Sequence, residues 1–202
     1  MFDKNVMGYL SLFFVVLAGV PYIYLTLTGK TKPHVFTRLI WGILAAIVSA
    51  AQYTENAGPG AWAAGLAALF TLTTAILGFW YGEKNITRSD WISFIAGLCA
   101  APLWYFTSNP LAAVVLVTLI YAAGYYPTFR KSYTKPKEEP IFSYFVNNMK
   151  HATSILAMTE YSVTTLLFPA VLLILNAGLI VMLVWRRRSL RPMSVEKTGG
   201  RN

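Results

Sequence analysis

Ser143, Asn147, His151 and Ser154 follow one another at three- and four-residue steps inside a largely apolar stretch, so they share one face of a helix. Met158 continues the stripe and Lys150 stands beside it. These side chains can donate and accept hydrogen bonds and place a positive charge, and no acid accompanies them. An unpaired polar group in hydrocarbon costs several kcal/mol, so the stripe must face a bundle interior or a wet cavity. There it either lines a route for a polar solute or bridges helices as structural glue. Lys150 lies near the middle of its run. Its long stem lets the charge snorkel to water, or the charge attracts an anionic or carbonyl-bearing solute.

Other candidates converge on the same depth. At 1.5 Å per residue, Asn176 in the last apolar run falls level with Asn147, with Tyr121 near that level and Tyr125 one turn deeper. A tyrosine offers a flat wall and a hydroxyl to a small polar solute. Thr71 and Thr74, with Thr73, supply weaker donors or satisfy their own preceding carbonyls. Gln52, Glu55 and Glu160 fall at the outer ends of two runs and are candidate outer-gate residues. For the two glutamates the plain alternative is a solvated carboxylate at a loop start.

What is missing narrows the chemistry. The chain has two histidines and one cysteine, and no H-E-x-x-H, phosphate-cradling glycine loop or serine nucleophile elbow. Lys150 and Ser154 are four apart and could pair as base and nucleophile, but nothing supplies a substrate slot. No catalytic residue, metal site or cofactor is expected, and the chain reads as a non-enzyme. Cys99 lies inside an apolar run and reads as filler.

Seven apolar runs must position these groups: 6–28, 37–53, 61–81, 91–107, 110–129, 141–159 and 162–185. Each approaches the roughly 20 residues that a helix needs to cross a hydrocarbon core of about 30 Å. Only 12% of the 202 residues are charged while 56% are hydrophobic, too few charges to coat a soluble domain of this size. The fold class is therefore all-α membrane. Lysines and arginines fall in alternate gaps, at 30–38, 84–88, 130–137 and 186–191, which puts the amino terminus outside and the carboxyl terminus in the cytoplasm. Membrane anchoring accounts for the net charge of +9, and no organised basic face is left for nucleic acid. Most tryptophans, Trp41 and Trp185 among them, lie near run ends and read as an interfacial belt.

An offset of 105 positions aligns Ala18-Gly19 with Ala123-Gly124, Thr54-Glu55 with Thr159-Glu160, and Trp80 with Trp185. Pro21 and Pro127 match with a one-residue slip. This spread of coincidences points to a duplication of three-helix units. The expected units are 1–83 and 109–188, joined by a connector helix at 84–108 and followed by a basic flexible tail at 189–202. An odd number of helices reverses a unit and the connector restores it, so the two bundles should be parallel, as in some transporters.

This three-plus-one-plus-three layout resembles that of the SWEET sugar transporters and the PQ-loop superfamily. The resemblance is carried by helix count, by Gly19-Val20-Pro21-Tyr22, and by Tyr126-Pro127-Thr128-Phe129-Arg130 before a basic loop. Tyr22 and Thr128 stand where the family often has glutamine. Of the family's paired bundle asparagines, only Asn176 is present, with Thr71 opposite it. The resemblance implies a divergent bacterial-type member in the inner membrane, with Pro21 and Pro127 as hinges of an inner gate. It also implies transport of a sugar-like solute.

The chain thus reads as a multi-pass membrane transporter of a small polar solute, working by alternating access between two bundles. Its expected partners are that solute, the lipid bilayer and, as an open option, a second copy in a homo-oligomer. The alternative is a non-transporting seven-helix scaffold or receptor, in which the stripe binds helices together. A membrane-embedded enzyme is the remaining class.

Overall fold

The computed structural model describes residues 3–33, 35–82, 109–134, 136–137 and 141–190, with the isolated positions Ile95 and Pro102. Six long helices account for most of them: α1 (Lys4–Leu27), α2 (Val35–Thr54), α3 (Trp62–Tyr81), α4 (Pro110–Thr134), α5 (Ile141–Ala157) and α6 (Val163–Ser189). A one-turn 3-10 helix, Gly58–Ala61, leads into α3, and no strand occurs among the described residues. The expected span at 91–107, within the connector at 84–108, lies outside the described residues, as does the tail beyond 190.

Local chemistry sets the helix ends. The Asp3 carboxylate accepts from the backbone N–H groups of Asn5 and Val6 at the start of α1. Ser162 and Thr165 exchange side-chain and backbone bonds at the start of α6, satisfying two otherwise orphaned donors. Asn109 caps α4 through its side-chain oxygen, and Pro110 follows where a missing N–H costs nothing. Both α4 and α6 outrun their expected lengths. Arg186 Nε donates to the Tyr133 carbonyl (3.0 Å) and Arg187 Nε to that of Pro136 (2.9 Å). The arginines expected to act only as an anchor also cap the end of α4, where cations suit the helix dipole.

Among the described residues five helices are long and apolar enough to cross a membrane, so the chain is a multi-pass membrane protein by length and composition. The shorter α5 is not among them. It has 17 residues, about 25 Å at 1.5 Å rise, and it carries the polar stripe. It compensates by lying between α1 and α6.

The helices neighbour one another in the order α1, α3, α2, α4, α6, α5, and α5 returns to α1. Gly8 of α1 backs onto Trp62 and Gly19 onto Phe70, so α1 and α3 run the same way. Gly65 lies beside Ser49, Gly42 beside Leu72 and Gly78 beside Val35, so α2 runs against α3. Tyr125 meets Asn176 and Tyr133 meets Arg186, which makes α4 and α6 parallel. Lys4 at the start of α1 reaches Met158 just past the end of α5, so these two are antiparallel.

Two ends result. One carries the α2–α3 and α5–α6 connections and is here termed the turn end. The other, the basic end, carries Lys30, Lys32, Arg130 and the triple arginine after Trp185. Among the described residues the carboxylates are Asp3, Glu55 and Glu160, and all three lie at the turn end.

Candidate functional site

The contact between α1–α3 and α4–α6 differs between the two ends. At the turn end it is held by backbone acceptors. Ser154 Oγ donates to the Gly60 carbonyl (2.7 Å), and Thr159 donates from its backbone to Ala57 (3.0 Å) and from its hydroxyl to Asn56 (2.5 Å). The Lys4 ammonium donates to the Met158 and Thr159 carbonyls and lies 5.1 Å from the centre of the Tyr161 ring. Such close approach requires glycine. A Cβ at Gly60 would sit 2.9 Å from the Ser154 carbonyl oxygen, and Gly58 has a φ of 61°, in the left-handed region.

Gln52 adds a bond whose acceptor has a specific origin. Its Nε2 donates to the Thr165 carbonyl at 2.9 Å. Thr165 precedes Pro169 by four residues, and proline has no N–H to return to that carbonyl. Pro169 therefore frees the acceptor that Gln52 uses. Just below, Leu44, Val48 and Ala51 of α2 pack with Ala113, Val114 and Val117 of α4 and Phe168 of α6. This dry plug fills the turn half of the interior.

Below the plug, side chains from five helices form a continuous descending chain. His151 of α5 meets Phe168 edge-on (6.2 Å between ring centres), and Phe168 meets Tyr121 of α4 (5.0 Å). Tyr121 stacks on Trp41 of α2 at 5.9 Å and donates its hydroxyl to the Trp41 carbonyl (3.0 Å). The Arg38 guanidinium carbon lies 5.8 Å from the Trp41 ring and 4.0 Å from that of Tyr22 on α1, close enough for cation–π attraction.

The stripe on α5 crosses the boundary between the two halves. Met158 is 0% exposed, Ser154 4% and His151 5%, whereas Lys150 and Asn147 are half-buried and Ser143 is exposed. Ser143, Asn147, His151, Ser154 and Met158 share one face by spacing, and burial falls along that face toward the basic end. Lys150 Nζ donates to Asn147 Oδ1 (3.2 Å), and Asn147 Nδ2 donates to the Ser143 carbonyl (3.0 Å). On the neighbouring helices the Tyr125 hydroxyl donates to Asn176 Oδ1 (2.7 Å), and Asn176 is 1% exposed.

The expected site residues thus separate into groups. Lys150, Asn147 and His151 share the inward face of α5, with Tyr121 beside Phe168, and Tyr125 pairs with Asn176. Ser154 and Gln52 belong to the turn-end seal. Glu55 and Glu160 lie at that end without an ion pair among the described residues. Thr71 and Thr74 remain on α3, donating to the Ala67 carbonyl (2.6 Å) and the Thr71 carbonyl (2.7 Å) within their own helix. Pro21 is exposed on the outside of α1, Pro127 lies within α4, and neither ends its helix. Among the described residues no cluster of metal-binding side chains occurs. A shallow groove lined by Ala46, Ser49, Ala50, Tyr53 and Gly65 lies on the α2–α3 flank and not between the helix groups.

Sequence reasoning passed over Pro169, Gly60, Trp41 and Arg38 as site elements. For Pro169 a signal was available: the freed carbonyl four residues earlier. Arg38 and Trp41 were absorbed into topology and belt, and only their meeting with Tyr22 and Tyr121 gives them a place in the interior. No protein-family model, curated protein or solved structure matches the chain.

Proposed function

We propose that the chain is a membrane transporter that moves a small polar solute by alternating access between two parallel three-helix bundles. The observation that carries this is the change in exposure along the inward face of α5. Groups that could bind a solute are half-buried toward the basic end, while the turn end is closed by hydrogen bonds. On the charge rule, with basic loops cytoplasmic, the closed end faces outside.

Exchange of the two groups supports the bundle arrangement. Replacing α1, α2 and α3 by α4, α5 and α6 turns each major neighbour pair into another that exists: α1–α3 into α4–α6, α2–α3 into α5–α6, and α1–α5 into α4–α2. The repeat partners Thr54-Glu55 and Thr159-Glu160 then share the turn end. The chain leaves α3 at the basic end and starts α4 at the turn end, which suits the three-plus-one-plus-three layout of the SWEET and PQ-loop superfamily. Binding at the interface of repeats near the membrane midplane is a recurrent transporter design.

A second reading, a non-transporting scaffold, is favoured by a different observation. Asn176 is bonded to Tyr125. Asn148, with its amide nitrogen facing α6, donates to the Leu173 carbonyl (3.2 Å) and accepts from the Ala177 N–H (3.3 Å). These are helix-bridging bonds. Purified protein in liposomes, offered a mixed pool of soluble metabolites with uptake read by mass spectrometry, separates the two. Selective accumulation supports transport. No accumulation above protein-free liposomes, for correctly folded protein, leaves the scaffold.

A further inference from the structure

We infer that the solute carries the missing negative charge: the interior beside Lys150 accepts a small organic anion, specifically a carboxylate on a hydroxylated body. This rests on the transporter reading and narrows it.

The first observation is an uncompensated charge. The Lys150 ammonium donates to Asn147 Oδ1, a neutral acceptor, and meets no carboxylate among the described residues. Arg38, nearer the basic end, faces two aromatic rings and likewise meets no described carboxylate. The second observation is distance. Asp3, Glu55 and Glu160, the acids among the described residues, lie at the turn end, beyond the plug. Lys150 is eight residues from Met158, about 12 Å along the helix axis, so no described acid is placed to neutralise it.

A cation withdrawn from water without a counter-ion is costly, and removing such a charge relieves that cost. A counter-ion supplied by the solute offsets it whenever the site is filled. A neutral solute leaves Lys150 unpaired, and a cationic one adds repulsion. A single ammonium matches a single carboxylate. The Asn147 amide beside Lys150 suits a hydroxyl group on the solute body once its present bonds rearrange. Arg38 gives the approach from the basic end the same sign, which concentrates anions there.

The test uses three impermeant probes with similar bodies and different charges: gluconate, glucose and glucosamine. The full chain in liposomes receives them together, beside the mixed metabolite pool. The expected result is uptake of gluconate, and of the pool's carboxylates as a class, about tenfold or more above the neutral and cationic probes. Lys150→Met should abolish that preference and melt no lower than the parent, since it removes an unpaired charge. Lys150→Arg should keep the preference, and both should match the parent in elution volume. Neutral solutes crossing as fast as gluconate, or a preference unchanged in Lys150→Met, overturns the anion assignment and leaves transport standing. No solute crossing at all removes the transporter reading and this inference with it.

Discussion

The turn half and the basic half of the interior are lined by the same helices, yet they are held in opposite ways. At the turn end, small residues let backbones approach, and the acceptors are carbonyls fixed in turns or freed by Pro169. Toward the basic end the contacts between the two helix groups run mainly between long side chains, Tyr22, Arg38, Trp41 and Tyr121, with one bond from the Tyr121 hydroxyl to the Trp41 carbonyl, and Asn147 and Lys150 are half-buried. Bonds to a fixed backbone have few alternative geometries, while stacked aromatic and guanidinium groups can part and rejoin by rotamer changes. The two halves of one interface should therefore differ in stiffness, the turn end being the tighter.

Gly60→Val should disturb this contrast most. The branched side chain would drive into the Ser154 carbonyl and Met158, and overpacking of this kind costs about 1–3 kcal/mol. The expected outcome is a lower melting temperature in detergent, together with labelling from outside, by an impermeant thiol reagent, of a cysteine placed at Thr165. A turn end that remains unlabelled and equally stable would erase the claimed difference in stiffness.

A smaller effect sharpens the same comparison. Gln52→Leu leaves the Thr165 carbonyl without its donor and should cost about 1 kcal/mol, within the range measured for hydrogen bonds in membranes. Pro169→Ala returns an N–H to that carbonyl, so Gln52→Leu should cost less in the Pro169→Ala background. Strictly additive melting shifts in the double-mutant cycle would show that the freed carbonyl is not what Gln52 serves.

The smallest change is expected where the sequence had offered donors to the pathway. Thr71→Val and Thr74→Val remove hydroxyls that bond only within α3, so stability should shift by less than about 0.5 kcal/mol and uptake should be unaltered. A marked loss of uptake in either variant would bring α3 into the route after all.

Much of the helical layout was legible because apolar run length and basic punctuation are one-dimensional signals. The start of α4 at Pro110 and the start of α5 at Ile141 fall where the runs begin. The stripe on α5 was legible for the same reason, since residues three and four apart must share a face. The division of that stripe was not. Ser154 and Asn147 are equivalent by spacing, and only the neighbouring Gly60 turn bonds one across the interface and leaves the other bonded within α5. The extra turns of α4 and α6 were hidden because they depend on Arg186 and Arg187 reaching carbonyls of a distant segment. Arg38 illustrates the general limit. A basic residue in a loop is explained well enough by topology, so sequence gives no reason to ask what else it touches.

Lys4 carries a consequence for the order of assembly. Its ammonium reaches carbonyls at Met158 and Thr159, more than 150 positions later in the chain, and Gln52 waits for Thr165 in the same way. During synthesis α1, α2 and α3 are inserted long before their partners at the turn end exist. A nascent chain that stops short of α5 has Lys4 and Gln52 but neither of their acceptor segments, and the turn-end contacts stay unformed. The turn-end contacts are thus completed only by the last helices made, and α1, α2 and α3 must wait in the bilayer with those donors unused.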